Sequence, residues 1–161
     1  MLIATGYLFW LESRRRKHAQ LGLRGVPLVE GLTIGSVTGI LVATAAFFVV
    51  NRLLPLGAKF AGLDRAELEI WAFYLVWFAT FAHAWARPAR AWIEQCLAIA
   101  VLCVAAVALN WLTTGDHLIR SLSHGHLWPV AGMDLLLLGS AAIAALTARR
   151  LGHRAASRAA I

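Results

Sequence analysis

The sequence predicts an all-α integral membrane protein, a helical bundle of four full transmembrane helices preceded by a truncated N-terminal helix. Three observations carry that prediction. Of the 161 residues, 60% are hydrophobic and 14% charged, where soluble domains carry about 25% charged residues. The basic residues sit in the gaps between apolar runs. Six of the seven Trp (Trp10, Trp71, Trp85, Trp92, Trp111 and Trp128) fall at or near the ends of those runs, and Trp77 alone sits in the middle of one. Indole prefers the headgroup level, so the six form an aromatic belt. Lipid accommodates this composition because it requires only that each helix satisfy its own backbone. An ordinary soluble enzyme is excluded. The net charge of +7 is not a nucleic-acid footprint, which needs a basic face on a soluble domain; it reads as topology signals and anchors for the lipid bilayer, the chain's first partner.

The first element, residues 1–12, offers about eleven apolar residues before Arg14, Arg15, Arg16 and Lys17, whereas a span takes about twenty. Its charge follows the apolar run instead of preceding it, so it is no secretory signal. It reads as half a helix whose beginning is missing. A basic segment, 13–28, leads to the first full span at 29–50. There Gly31, Gly35 and Gly39 recur every fourth residue and lie on one helical stripe, a small-residue spacing that lets backbones approach closely in lipid. The remaining spans are expected at 70–86, 92–111 and 129–148, and a second basic segment at 149–161. The whole chain forms one membrane domain with no convincing strands. Cys96 and Cys103 lie two helical turns apart, about 10 Å, too far for a disulfide, and read as small packing residues.

Orientation follows from Lys and Arg counts. Eleven lie in 13–24, 86–91 and the tail after residue 148, against four (Arg52, Lys59, Arg65 and Arg120) in the alternate gaps. The positive-inside rule places the first set, and the C-terminus, in the cytoplasm. The 52–69 and 113–127 loops of this multi-pass protein then face the periplasm or exterior.

Few residues inside the spans carry chemistry. His83 lies about one turn from the cytoplasmic interface, where an ionisable group is a functional candidate. It reads as an interhelical hydrogen-bonder, an axial haem ligand or a proton relay. A second imidazole at its depth is missing from the sequence, so any haem partner comes from outside this chain. His117, His124 and His126 beside Asp116 form a candidate metal site by ligand type, against the alternative of a polar interfacial loop. Asn110 and Asp134 fall near the external interface as buried polar residues. A hydrogen-bonded pair between them, or a partnership of Asp134 with Arg52, is the structural reading; ion or electron transfer is the functional one. Nucleotide loops, nucleophile elbows and paired catalytic carboxylates are absent. A small transporter subunit is the weakest reading, because an ion path needs a chain of polar groups.

The runs GYLFWLESRRRKHAQLGLRG, VEGLTIGSVTGILVATAAFFVVNRLLP, HAWARPARAWIEQ, ALNWLTTGDHL and VAGMDLLLLG resemble the C-terminal membrane region of the PepSY-associated transmembrane family, the iron-regulated membrane proteins. The likeness covers essentially the whole chain through loose, mostly apolar motifs. It implies a longer relative whose earlier helices and periplasmic PepSY domain are missing here, or a partner chain that supplies them. Some members act in iron uptake, and siderophore reductases among them use haem b to pass electrons to ferric siderophore iron. By resemblance, His83 in HAWARP is a haem-binding candidate. The alternative is a non-catalytic helical-bundle subunit or fragment that packs against partner transmembrane helices.

Overall fold

A computed structural model describes residues 26–115 and 128–159. The expected truncated helix at 1–12, residues 13–25 of the basic segment, and His117, His124 and His126 lie outside the described residues. Helix α1 (Val26–Ile34) runs through a π-helical turn (Gly35–Gly39) into α2 (Ile40–Leu53). Helix α3 (Arg65–Ala86), α4 (Pro88–Thr114) and α5 (Trp128–Ala159) complete an up-and-down bundle.

Three of these helical stretches, Leu28–Leu53, Pro88–Thr114 and Trp128–Ser157, are long and apolar enough to cross a membrane. Helix α3, at 22 residues, has the length but less apolar character. Arg65, Glu67 and Glu69 occupy its first turns, and His83 with three indoles replaces aliphatic residues further on.

The helix ends follow local chemistry. Leu54 precedes Pro55 and is extended (φ −76°, ψ 120°), because a proline ring disfavours the α conformation in the residue before it. At the α3–α4 corner, Pro88 opens α4, where its missing N–H costs nothing. Gly115 closes α4 in the left-handed region (φ 72°), its N–H bonded to the Trp111 carbonyl at 2.9 Å. Helix α5 continues through Arg149, Arg150, His153 and Arg154, so much of the expected basic tail is helical. Ala, Leu and Arg are good helix formers, and cations complement the negative helix end. Its 32 residues reach about 48 Å at 1.5 Å each, well beyond a bilayer core of about 30 Å.

A short antiparallel hairpin, β1 (Lys59–Phe60) with β2 (Leu63–Asp64), lies in the 52–69 loop, where no strand is expected from the sequence. Ala61 and Gly62 at its tip both have positive φ, 51° and 82°, as a two-residue hairpin turn matched to strand twist requires.

The core is built of small residues. Val42, Ala45, Ile99, Cys103, Ala106, Leu137, Ala141 and Ala144 pack α2, α4 and α5 together, while Ile34, Ala84 and Ala91 join α1 to the α3–α4 corner. Large side chains such as Leu75, Phe78, Val101, Leu136 and Ile143 point outward, each more than 60% exposed. Contiguous apolar surface on this scale suits lipid and not water. The chain is a membrane-embedded helical bundle.

Candidate functional site

Polar side chains gather at three levels of the bundle. The first is the α3–α4 corner. Arg87 sits between the two helices (φ −135°) with its N–H on the His83 carbonyl at 2.9 Å, and the turn folds α4 back along α3. His83, five residues before Pro88, and Glu94, six after it, therefore reach equal depth. Ala84 and Ala91, both fully buried, let the helices close on each other there. His83 Nε2 meets Glu94 Oε2 at 2.7 Å, and Arg87 Nη1 meets Glu94 Oε1 at 3.0 Å. Both carboxylate oxygens of Glu94 are thus engaged, one by the imidazole and one by the guanidinium.

His83 is not held here as a free axial ligand. The Nε2 of His83 is committed to Glu94. Among the described residues the only other histidine is His153, exposed on the basic end of α5. Among them, too, no three His, Cys, Asp or Glu side chains gather as a metal site. The arrangement is a charge-assisted interhelical clamp.

The second level is the middle of the bundle, where the glycine stripe lies against α3. A Cβ on Gly31 would overlap the Trp85 ring, one on Gly35 the Phe81 ring, and one on Gly39 the Thr80 hydroxyl. The stripe is occupied within the chain and is not a free face for another helix. Between Gly35 and Gly39 the backbone is π-helical, a re-registering of the helical ladder that frees backbone groups for other partners. The Gly35 carbonyl accepts the indole N–H of Trp77 at 3.1 Å. This is why one Trp stands mid-span and away from the belt.

From Trp77 a chain of hydrogen bonds crosses the bundle. Thr80 Oγ1 donates to the Trp77 carbonyl at 2.6 Å, and Gln95 Nε2 donates to the Thr80 carbonyl at 2.9 Å. That fixes the Gln95 amide, because a carbonyl can only accept. Its Oε1 therefore faces Thr38, whose hydroxyl donates to it at 2.5 Å. Gln95 is 97% buried, so an unsatisfied amide there would be costly. Sequence reasoning passed over Thr38, Thr80, Gln95 and Glu94.

The third level is the opposite end of the bundle. Arg65 donates through Nη2 to the Asn51 carbonyl at 2.6 Å and through Nε to Glu69 Oε1 at 2.9 Å, while Asn51 Nδ2 reaches the same Glu69 oxygen at 3.0 Å. The guanidinium sits over the last carbonyls of α2, where the helix dipole favours a cation. Nearby, Asn110 of α4 and Asp134 of α5 meet across the interface. The Asn110 Nδ2 lies 3.3 and 3.2 Å from the two carboxylate oxygens. Both residues are 4% exposed. Arg52 faces Asp134 electrostatically across a cavity of about 320 Å³ that it lines with Asn51, Asn110 and Asp134. Cys96 and Cys103 are buried free thiols on α4.

No protein-family model matches the chain, and no curated protein or solved structure matches it either.

Proposed function

We propose that the chain is a non-catalytic membrane scaffold, the C-terminal transmembrane module of a PepSY-type protein of the bacterial inner membrane. In this reading α3 is a fourth span. Its 22 residues reach about 33 Å at 1.5 Å each, enough for a core of about 30 Å, and its indoles lower its apolar character without barring it from lipid. The basic ends, including the C-terminal half-turns of α5, lie in the cytoplasm, and the Arg52–Arg65 loop outside. The module holds earlier helices or a partner chain in place through its lipid-facing surface.

The observation that carries this reading is the use of His83. Its Nε2 is engaged by Glu94, which Arg87 also holds, so the imidazole of α3 serves helix-to-helix attachment. Electron transfer through haem b toward ferric siderophore iron would need that bond broken and a second ligand brought by another polypeptide.

The test is spectroscopic. Full-length protein purified from haem-replete cells is expected to show no haem b absorption, and its yield is expected to be unchanged by haem depletion of the cells. A reduced-minus-oxidised α-band that disappears in His83→Ala would overturn the scaffold reading.

A further inference from the structure

The 320 Å³ cavity at the Asn110 end has a second cavity directly against it. Phe48, Met133 and Leu137 line both, and the second, of about 340 Å³, continues between α2 and α5 down to Thr38 and Thr147. Helices α2 and α5 both pack on α4. The two therefore leave a furrow between them, floored by Cys96, Ile99 and Cys103 of α4. From Met133 to Thr147 it runs 14 residues along α5, about 21 Å at 1.5 Å per residue. One leaflet of the hydrocarbon core is about 15 Å deep, so the furrow is long enough for an acyl chain.

The upper cavity has the opposite character at its mouth. Asn110 must turn its N–H2 group toward Asp134, because a carboxylate accepts and an amide oxygen does not donate. Its Oδ1 is thereby left buried without a hydrogen-bond partner, the one such buried side-chain atom among the described residues. Among the described residues the Asp134 carboxylate, equally buried, receives a hydrogen bond only from that single amide. Arg52 supplies a positive group on the same cavity wall and makes no direct ion pair among the described residues. Two buried acceptors and one cation ask for a ligand with N–H donors and a negative charge. Trp111 and Trp128, both more than half exposed at this end, mark the headgroup level.

We propose that cavity and furrow together bind one zwitterionic phospholipid whose headgroup carries a primary ammonium, of the phosphoethanolamine type. The ammonium donates to Asp134 and to Asn110 Oδ1, the phosphate faces Arg52, and an acyl chain lies in the furrow between α2 and α5. A quaternary choline headgroup has no N–H for the Asn110 oxygen. A glycerol headgroup brings no positive charge to Asp134. A bare metal cation would be opposed by Arg52. A helix laid over the furrow, about 10 Å wide, would leave the Asn110 oxygen unsatisfied.

The experiment is native mass spectrometry of the delipidated full chain with phosphatidylethanolamine, phosphatidylcholine and phosphatidylglycerol added at equal concentration. The expected result is about tenfold tighter retention of phosphatidylethanolamine, the scale of one charge-assisted hydrogen bond. Asp134→Asn should remove that preference, whereas Arg52→Gln, which loses the partner of the phosphate common to all three lipids, should weaken retention of each. Ser140→Trp, which fills the furrow, should weaken retention of all three lipids. A second measurement on the unaltered chain uses phosphatidylethanolamine with a photoactivatable acyl chain, whose adducts should fall on α5 between Met133 and Thr147. Equal retention of the three lipids, adducts elsewhere, or a crosslink joining the furrow to residues 1–25 or to a second copy while this lipid is present would each overturn the proposal.

Discussion

Trp77 donates its indole N–H to the carbonyl of Gly35, 42 residues earlier in the chain, at 3.1 Å. The bond ties the middle of α3 to the π-helical turn between α1 and α2. Replacing Trp77 with Phe keeps an aromatic ring among Phe73, Phe78 and Phe81, its neighbours at about 6 Å, and removes the donor together with one ring of the indole. The expected cost is about 0.6 kcal/mol, with about 1.7 as an upper value for an interhelical hydrogen bond in a membrane protein. Unfolding of purified protein in mixed detergent micelles reads it. A loss well above that range would mean that the ring, and not the bond, carries the attachment.

Gly31 and Gly39 of the stripe are expected to respond differently to alanine, because what each Cβ would meet differs. At Gly39 the obstacle is the Thr80 side chain, short, β-branched and held by its bond to the Trp77 carbonyl, so it cannot swing aside. Gly39→Ala should cost about 1–3 kcal/mol, as overpacking of a tight site does. At Gly31 the obstacle is the Trp85 ring, 48% exposed and held by a long bond (3.4 Å) from its indole N–H to the Leu28 carbonyl, so it yields more easily and Gly31→Ala should cost less. Gly132 and Gly139 on α5 have nothing within 4 Å of a new Cβ. Alanine there should be neutral or stabilise by about 0.4–1 kcal/mol through the unfolded chain. Thermal unfolding of the four variants in one detergent decides the order, and equal effects at Gly39 and Gly139 would contradict it.

These residues also show how far the sequence can be read. The apolar runs, the aromatic ends and the four-residue glycine spacing are one-dimensional features, and the helices and their contacts with α3 follow them directly. The Asn110–Asp134 pair is legible as well, since both fall at a similar depth in consecutive helices. The π turn is not, because its cost and benefit lie in which carbonyl a distant indole can reach. Gln95 and Thr38 are 57 positions apart, and nothing in either helix's own pattern points to the other. Glu94 was within reach. Counting outward from the Arg87–Pro88 corner gives His83 and Glu94 nearly the same depth, a signal that lies in the turn rather than in the histidine.

Glu94 joins His83 and Arg87, and its neutral isostere separates charge from shape. Glu94→Gln keeps the side-chain length but removes the charge that both partners share. With His83 and Glu94 side chains about 30% exposed (32% and 29%) and Arg87 more so, the clamp lies at the helix-end corner and outside the packed core, where partly exposed ion pairs contribute about 0–1 kcal/mol. The substitution should therefore cost no more than about 1 kcal/mol. A double-mutant cycle with His83→Ala should give a coupling energy of the same size. Additive costs for the two changes would show that the 2.7 Å contact between His83 and Glu94 contributes nothing to stability.

The Asn110–Asp134 pair makes the opposite kind of prediction, because both groups are buried. Asp134→Leu alone removes the acceptor and strands the Asn110 N–H2 group in a site 96% shielded from solvent, since Asn110 is 4% exposed. A buried donor without a partner costs about 1–3 kcal/mol. Changing Asn110 to Leu in the same chain takes away the stranded amide together with its unpaired Oδ1. Replacing both members of a buried polar pair by apolar groups of similar size is often neutral or stabilising. The double variant should therefore unfold at higher detergent denaturant than Asp134→Leu alone, and close to the unaltered chain. Should the two losses simply add, the pair would be a coincidence of packing and not a coupled interaction. Running the series on delipidated protein keeps any bound lipid from masking the comparison.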